Sequence, residues 1–439
     1  MYDWQSLRLG DMAQGIRGVS YTPENLHETS SPKTVTLLRS NNINSGVINF
    51  KNVKFVSEAN VSELQIIQKG DIAVCMSNGS KALVGKAARL FDDGARMTVG
   101  AFCSIFRPRT GYDDRFVAHV FQSQQYRQHI DVVLAGSAIN NLQNKTVENL
   151  QLLVPSYLEQ QKIAQILDTL DTQIQKTDAL IAKLGKIKEG LLHDLITRGI
   201  VQNGQLRPTP EQAPELYKES ALGLIPKAWE MTSLGQVTDS MVDGPFGSNL
   251  KTSHYVEDAG VQVVRLQNIK TGEYDETFTA FITRAHANRL DKNRVVGGDL
   301  LVASLGDERS KPGRACLYPT HLPPAINKAD CFRVRAHPSM ATNSFLMHSL
   351  NFERSTKQAT SKQQGVTLQR VNLSNLRTIV IGLPTIAEQR LISDQLNAIA
   401  GKISALECEK QKLESTKNGL MDDLLTGHVR VTPLLKDAV

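Results

Sequence analysis

The chain has 439 residues, of which 41% are hydrophobic and 21% are charged, and its formal net charge is +6 at pH 7. No apolar run reaches the roughly 18 residues of a membrane-spanning helix, and five scattered cysteines without a CxxC motif argue against a disulfide framework or a zinc site. We therefore expect a cytoplasmic protein of two or more domains with no membrane partner.

The first predicted element is a globule of mixed α and β structure over residues 1–154. Short apolar runs such as DIAVCM and AFCSIF are bounded by Gly, Pro and Asn, which is typical of strands. The stretch FVAHVFQSQQYRQHI has the length and pattern of a helix. This part of the chain also carries an excess of basic residues, which is compatible with a polyanionic partner.

A long helix is predicted next, over residues 155–198. Its apolar residues recur at alternating steps of four and three, which gives a period of 3.5 residues and a narrow apolar seam. Such a helix cannot bury its seam alone. The pattern therefore predicts a coiled coil with a second helix.

The rest of the chain repeats this arrangement. The predicted segments are a proline-containing linker at 199–228, a second globule at 229–383, a second long helix at 384–427 and a tail at 428–439. The two helix sequences align without a gap at a shift of 229, and both open with Pro-x3-Glu-Gln. The seam residues predicted in the two helices are Ile163, Leu167, Leu170, Ile174, Ile181, Leu184, Leu191, Leu195, Ile392, Leu396, Ile399, Ile403, Leu406, Leu413, Leu420 and Leu424. The tail resembles the start of the linker, which suggests that the helical pair holds each globule at both ends.

Enzyme signatures are missing from the sequence. It contains no GxxxxGK[ST] loop, no HExxH and no GxSxG, and its histidines have no metal-ligand spacing. His119 and His348 occupy equivalent repeat positions on apolar helices, so we interpret them as structural. Cys103 and Cys331 are also equivalent and are interpreted as core residues.

Loops that differ between the two halves are the candidate binding elements. MSNGSKALVGK (76–86) and SLGDERSKPGR (304–314) lie at the same place in each repeat, whereas DGPFGSNLK (243–251) has no counterpart in the first half. Lys and Arg neutralise phosphates, and Arg and Asn can pair with base edges. The predicted DNA-binding residues are Ser77, Asn78, Ser80, Lys81, Lys86, Ser248, Asn249, Lys251, Arg309, Lys311 and Arg314.

Two simpler readings of these loops stay open. The repeated loops have the composition of solvated charged loops, and DGPFGSNLK could pass for a phosphate-binding glycine loop although it lacks GxGxxG spacing. Arg39, Asn42, Arg265 and Asn268 recur in both halves, so we assign them to the scaffold or to backbone contacts rather than to base reading.

In combination, these motifs resemble the specificity (S) subunits of Type I restriction-modification systems. The resemblance rests on the globule–helix–globule–helix order, on Pro-x3-Glu-Gln (155–160 and 384–389), on Gly-Leu-Ile-Pro-x2-Trp (223–229), on GPFGSNL (244–250) and on Leu-Leu-Thr-Gly (424–427). The first half departs from the pattern, because it starts almost at Trp4 without an Ile-Pro entry.

The resemblance implies an α+β fold in which two similar mixed α/β target recognition domains are separated by a pair of long helices. These helices would form an antiparallel coiled coil with a pseudo-two-fold internal repeat. Each globule would read one half of a bipartite target in double-stranded DNA, and the helices would set the spacer. They would also dock two methyltransferase subunits, which restriction subunits then join. The chain itself would be non-catalytic and would bind no cofactor, since AdoMet, ATP and Mg²⁺ would belong to the partner subunits.

Two other classes of function compete with this reading. A self-sufficient methyltransferase or nuclease would need the missing motifs and would bind AdoMet as an isolated chain. A structural coiled-coil adaptor would never touch DNA, and a salt-dependent gel shift of the assembled complex separates it from a DNA reader.

Overall fold

The computed structural model describes residues 4–44, 46–90, 96–136, 140–201, 203–257, 260–306, 310–365 and 369–436. The chain divides into two compact units, residues 1–179 with 407–439 and residues 180–406. The division falls within both long helices, so each unit holds one globule and a part of each helix.

The globule of the first unit is built on two four-stranded sheets. The first is antiparallel, with the strands in the order Ala13–Arg17, Cys103–Pro108, Ile72–Cys75 and Ala87–Arg89. The second has the order Met97–Val99, Thr34–Leu38, Lys54–Ser57 and Leu26–His27, and its first pair is parallel. Two-stranded pairs join Gln5–Arg8 to Gln151–Val154 and Ile43–Asn44 to Val47–Ile48.

Short helices cover the first sheet. The α-helices are Leu9–Met12, Asp114–Val120, Gln124–Ala135 and Asn144–Glu148, and 3-10 turns lie at Pro23–Asn25, Glu58–Asn60, Glu63–Gln65 and Lys81–Leu83. Asp113 and Ser123 cap two of the helices through their side-chain oxygens, which accept backbone N–H groups that the first helical turn leaves free. The strand Ile72–Cys75 is buried on both faces, because core clusters lie on either side of the sheet.

The globule of the second unit repeats this topology. Its antiparallel sheet has the order Thr238–Val242, Cys331–Ala336, Leu300–Ala303 and Ala315–Leu317, the same order as in the first globule. A five-stranded sheet follows, in the order Tyr255–Val256, Phe281–Ile282, Val261–Val264, Ala325–Asn327 and Arg294–Val295. Two-stranded pairs join Glu230–Ser233 to Val380–Leu383 and Tyr217–Lys218 to Ile225–Pro226.

The remaining short helices complete the two units. In the second unit the α-helices are Arg284–Arg289, Asn343–Asn351, Glu353–Ser361 and Leu373–Arg377, with 3-10 turns at Pro214–Leu216, Gly247–Asn249, Thr252–His254, Leu266–Asn268 and Asp291–Asn293. The tail of the first unit forms a helix at Thr432–Lys436.

The long helices run from Tyr157 to Thr197 and from Ile386 to Thr426, with 41 residues each. None of the sixteen predicted seam residues is exposed, which confirms the 3.5-residue pattern. Lys417 Nζ lies 2.6 Å from Asp171, and Lys410 Nζ lies 2.7 Å from Asp178. A seven-residue advance along one helix thus matches a seven-residue retreat along the other, so the helices are antiparallel in this unit.

The end of each helix packs with the start of the other, as an antiparallel pair requires. In the first unit Ile163 shares a core cluster with Leu424, and in the second unit Leu195 shares one with Ile392. These end residues are fully buried because the globules cover them, whereas mid-helix seam residues such as Ile181 are only half-buried.

The Glu-Gln pair at the start of each long helix fastens that helix to its globule. Gln160 Oε1 accepts the N–H of Asp113, and Gln389 Oε1 accepts the N–H of Thr342 at the equivalent helix cap. The glutamates accept hydrogen bonds from the segments that follow the helix ends: Glu159 from Arg430 and Thr432, and Glu388 from Ile200 and Arg207. The tail and the linker therefore have matching roles, as their sequence likeness predicts.

The sequence predicts no helix that spans a membrane. Among the helices of the described residues, none combines the length and the apolar character needed to cross a bilayer.

Candidate nucleic-acid interface

The loop that follows strand Ile72–Cys75 carries five of the predicted residues. It is tied down by its own backbone and by Asn78, whose side-chain oxygen accepts the N–H of Ser80 at 3.0 Å and whose amide donates to Ser40 Oγ at 3.3 Å. Ser77 and Asn78 are half-buried, while Ser80 and Lys81 are exposed. The loop thus presents polar groups from a fixed backbone.

Lys81 and Lys86 line an open groove of about 930 Å³ in the first unit. Other cations of this groove are neutralised, since Arg127 pairs with Asp131 and Lys417 with Asp171. Lys81 and Lys86 form no salt bridge with any residue that the structure describes. Two unpaired ammonium groups on the wall of an open groove suit a polyanion such as a phosphate backbone.

The equivalent loop of the second unit follows strand Leu300–Ala303. Lys311 is exposed, as a DNA contact requires, and Arg309 lies outside the described residues. Gly313 has φ +80° and donates its N–H to the carbonyl of Ala303, and Gly85 has φ +85° and makes the same bond to Cys75. A left-handed glycine thus closes both loops.

Arg314 is placed inside the protein. Its side chain is 7% exposed, and its guanidinium donates to the carbonyl oxygens of Ile269 at 2.7 Å and Leu266 at 3.3 Å. These bonds hold the loop onto the neighbouring sheet. We therefore move Arg314 from the DNA-contact set to the scaffold, because burial separates its charge from any phosphate.

The loop at 243–251 presents Ser248, Asn249 and Lys251 to solvent, as predicted. Its entry is rigid: a Cβ on Gly244 would lie 1.9 Å from the backbone of Lys328, so only glycine permits this approach. Burial raises the pKa of the adjoining Asp243 carboxyl to about 6.

A basic helix that the sequence reasoning missed packs against this loop. His286 Nε2 donates to the carbonyl of Asn249 at 2.7 Å, and the rings of His254 and His286 are 4.4 Å apart. Arg284 and Arg289, on the same helix Arg284–Arg289, are exposed. The basic residues of the run RAHANR were visible in the sequence. The helix begins 33 residues after the end of the loop, however, and only the fold brings the two together.

Partial desolvation, followed by the positive charge of its neighbours, lowers the pKa of His254. Its Nδ1 accepts the N–H of Lys251 at 3.1 Å. To accept this bond, Nδ1 of His254 must carry no proton, so the proton of the neutral ring is on Nε2, which can act as a donor.

The recurrent asparagines belong to the scaffold, as predicted, while the same assignment of the half-buried Arg39 and Arg265 stays a prediction. Asn42 is fully buried and donates to the carbonyl oxygens of Asn49 and Lys51, and the buried Asn268 does the same for Asp275 and Phe278. Each asparagine thus holds the loop that follows it in its own half.

The equivalent histidines fasten a globule helix to a long helix. His119 Nε2 lies 2.8 Å from Asp168 Oδ1, and His348 Nε2 lies 2.9 Å from Asn397 Oδ1 at the same repeat position. Burial lowers the pKa of His348 to about 4. The structural interpretation of both residues is confirmed, and so is that of the cysteines, since Cys103 and Cys331 are buried.

His119, Asp168 and Asp171 form the one group of potential metal ligands found among the described residues, with ligand atoms within 4.8 Å of one another. Protein groups already satisfy these atoms, because Asp168 accepts from His119 and Asp171 pairs with Lys417. The group is therefore explained by packing between helices. That the chain binds no cofactor stays a prediction.

Comparison with known proteins gives these features a context. Residues 1–186 and 226–415 each match the family model of the Type I restriction modification DNA specificity domain. The EcoKI specificity subunit of Escherichia coli K12 is 25% identical over 93% of this chain and 85% of its own length, and the MjaVIII specificity subunit of Methanocaldococcus jannaschii is 24% identical over 98% and 94%.

Solved structures agree at the level of the fold. The Type I S subunit from M. genitalium superposes with a TM-score of 0.59 at 14% identity, covering 96% of each chain. A chain from a Type I restriction-modification complex gives 0.54 at 16% identity, covering 98% of this chain and 99% of its own. The relatives are specificity subunits, which are non-catalytic components of their complexes. The two family matches span most of the sequence and coincide with the internal repeat, and the chain belongs to the Type I restriction-modification DNA specificity family.

Proposed function

We propose that each globule reads one half of a bipartite sequence in double-stranded DNA. The observation that carries this proposal is the pairing of equal scaffolds with unequal loops. Gly85 and Gly313 occupy equivalent places in the two globules, and so do the buried Asn42 and Asn268. The loops 76–86 and 304–314, in contrast, differ at nearly every position of their sequence. Two globules with one framework and different surfaces suit a bipartite target whose two halves differ in sequence.

The DNA contacts proposed for the first unit are Ser77, Asn78, Ser80, Lys81 and Lys86. For the second unit they are Ser248, Asn249, Lys251 and Lys311, together with Arg284 and Arg289 on the helix that supports the loop. The exposed cations serve phosphates, and the Ser and Asn side chains are of the size and polarity that read base edges.

We propose further that the helical pair sets the spacer between half-sites and docks two methyltransferase subunits. Each long helix is continuous and contributes to both units, and 41 residues of α-helix extend about 60 Å. Leu180 and Ile187 are exposed, off the seam and one heptad apart on the first long helix, where a partner helix could bury them. Catalysis and the binding of AdoMet, ATP and Mg²⁺ are assigned to the partner subunits, and restriction subunits join that core.

The experiment is a genome-wide map of adenine methylation in cells that carry the methyltransferase gene of the same restriction-modification system, with and without this chain. A bipartite motif should appear only with the chain, and exchange of residues 229–383 for those of a relative should change one half-site and leave the other unchanged. A stable complex that yields no new motif would refute DNA reading and favour a structural adaptor.

A further inference from the structure

An exposed phenylalanine stands beside the first reading loop. The Phe102 side chain is 64% exposed, although 41% of the chain is hydrophobic and supplies ample core. Phe102 lies on the turn between strands Met97–Val99 and Cys103–Pro108. Such exposure of an aromatic ring carries a cost in water that burial against a ligand would relieve.

Hydrogen bonds fix the backbone of the turn that carries this ring. The Phe102 carbonyl accepts the N–H groups of both Met76 at 2.8 Å and Ser77 at 3.1 Å, and the turn is closed by the Cys103 N–H, which donates to the Gly100 carbonyl at 2.8 Å. A Cβ on Gly18 would lie 2.2 Å from the Gly100 oxygen, so a second segment packs directly against the turn. The backbone of Phe102 is therefore held at a set position relative to Ser77, the first of the proposed DNA contacts.

The loop that is bonded to the Phe102 carbonyl carries uncharged polar groups. The Asn78 N–H donates to the carbonyl of Asn140 at 3.3 Å, and the Asn140 amide donates to the carbonyl of Gly79 at 3.2 Å. Asn78 also reaches Ser40. An exposed aromatic ring on a turn bonded to this loop, whose lysines form no salt bridge with a described residue, has the chemistry of a base contact flanked by phosphate contacts.

The second unit uses the same turn differently. The Cys331 N–H donates to the Lys328 carbonyl at 3.1 Å, and the Ser304 N–H donates to the Asp330 carbonyl at 2.9 Å. Asp330 therefore occupies the position of Phe102, and its carboxylate lies 3.1 Å from Arg370 and 2.9 Å from Ser304 Oγ. An exposed ring in one half is replaced by a held ion pair in the other.

The difference between Phe102 and Asp330 favours DNA over a protein subunit as the partner that contacts the Phe102 ring. Two identical methyltransferase subunits would require equivalent docking surfaces on the two halves, whereas two different half-sites require different surfaces. We propose that Phe102 is a specificity residue of the first globule, whose ring makes an apolar contact with a base edge, such as a thymine methyl group, in a groove of its half-site. This inference rests on the proposed DNA-reading function.

The test uses the full chain assembled with its methyltransferase subunits and duplexes that carry the motif found in the methylation map. Phe102→Ala should weaken binding of the cognate duplex by roughly 5- to 150-fold, the range for losing recognition of one base pair. It should leave the affinity for a motif-free duplex and the salt dependence unchanged, since no charge is removed. Phe102→Trp should retain most of the affinity.

Leu64→Ala is the matched control, because Leu64 is 55% exposed in the same globule and lies on a different element, Glu63–Gln65. It should bind as the unaltered chain does. Single-base changes across the site should show that Phe102→Ala loses discrimination at one position of the half-site read by the first globule.

The outcomes separate the two claims. An unaltered complex without sequence preference would refute the DNA-reading function and the inference with it. A sequence-specific complex in which Phe102→Ala keeps full affinity and discrimination would overturn the inference alone. So would a variant that assembles less well with methyltransferase subunits while its assembled fraction binds DNA normally, because Phe102 would then be a protein contact.

Discussion

Glu388 offers a direct test of how the linker is held to the start of the second long helix. Its carboxylate accepts the Ile200 N–H at 3.0 Å, the Trp229 Nε1–H at 3.1 Å and the Arg207 guanidinium at 2.8 Å. The Arg207 side chain is 12% exposed. Glu388→Ala would leave a buried cation and two buried N–H donors without an acceptor, and we expect it to destabilise the second unit by about 3–5 kcal/mol.

Glu159 is the matched control in the first unit. It pairs with Arg430, whose side chain is 35% exposed and can turn to water when its partner is removed. Glu159→Ala should therefore cost less than Glu388→Ala, about 1–3 kcal/mol for the hydrogen bonds that it breaks. The two variants differ in the solvent access of the arginine that remains.

The assay is denaturant unfolding followed by tryptophan fluorescence. The chain has two tryptophans, Trp4 and Trp229, one in each unit beside these glutamates. A Trp4→Phe background makes Trp229 report the second unit, and a Trp229→Phe background makes Trp4 report the first. Adding Arg207→Ala to Glu388→Ala should recover part of the loss by removing the unpaired charge. Equal losses for the two glutamates, or no recovery, would refute this account.

Three further predictions follow from burial and charge. Because burial lowers the pKa of His348 to about 4 from 6.5, its contribution of about 3 kcal/mol is complete above pH 6.5 and is lost as the pH falls through 4. Asn397→Asp should raise that pKa in an NMR titration, and an unchanged titration would contradict the role of this contact. Arg314→Ala should destabilise the second unit by about 2–4 kcal/mol, whereas a DNA contact would leave unfolding unchanged and weaken binding. Lys81→Ala with Lys86→Ala should weaken all duplexes alike and reduce the salt slope of binding by about 2; loss of preference at one base pair would instead indicate base reading.

The helical framework could be predicted because its signal is repeated and periodic. A gapless repeat established the equivalence of Glu159 with Glu388, and the 3.5-residue period identified sixteen seam residues, none of which is exposed. It did not identify Ala164, Met421 and Leu425, which the helices also bury. Lys410 and Lys417 interrupt that apolar pattern, and the structure shows why they are tolerated: each pairs with an aspartate of the other helix.

The binding surface was less predictable because burial of a cation depends on tertiary contacts. Lys86 and Arg314 occupy equivalent positions after a loop, yet one side chain lines a groove and the other is enclosed by backbone carbonyls. Sequence composition treats the two alike. Arg284 and Arg289 were missed because only the fold brings their helix to the loop at 243–251, through the His286 hydrogen bond and the packing of Ala287 with Leu250.

Comparison of the two halves separates scaffold residues from candidate base-reading residues, which composition alone cannot do. Where the halves agree, as at Asn42 and Asn268, the side chain is buried and bonds to backbone, so selection for the fold explains the identity. Where they differ, as at Phe102 and Asp330, contacts inside the protein explain one residue and not the other. Asp330 has φ +66° and pairs with Arg370, whereas the Phe102 side chain is 64% exposed. A protein that must recognise two different half-sites with one framework needs this kind of position. An exposed side chain that differs between equivalent turns is therefore stronger evidence for base reading than positive charge, which serves any DNA sequence equally well.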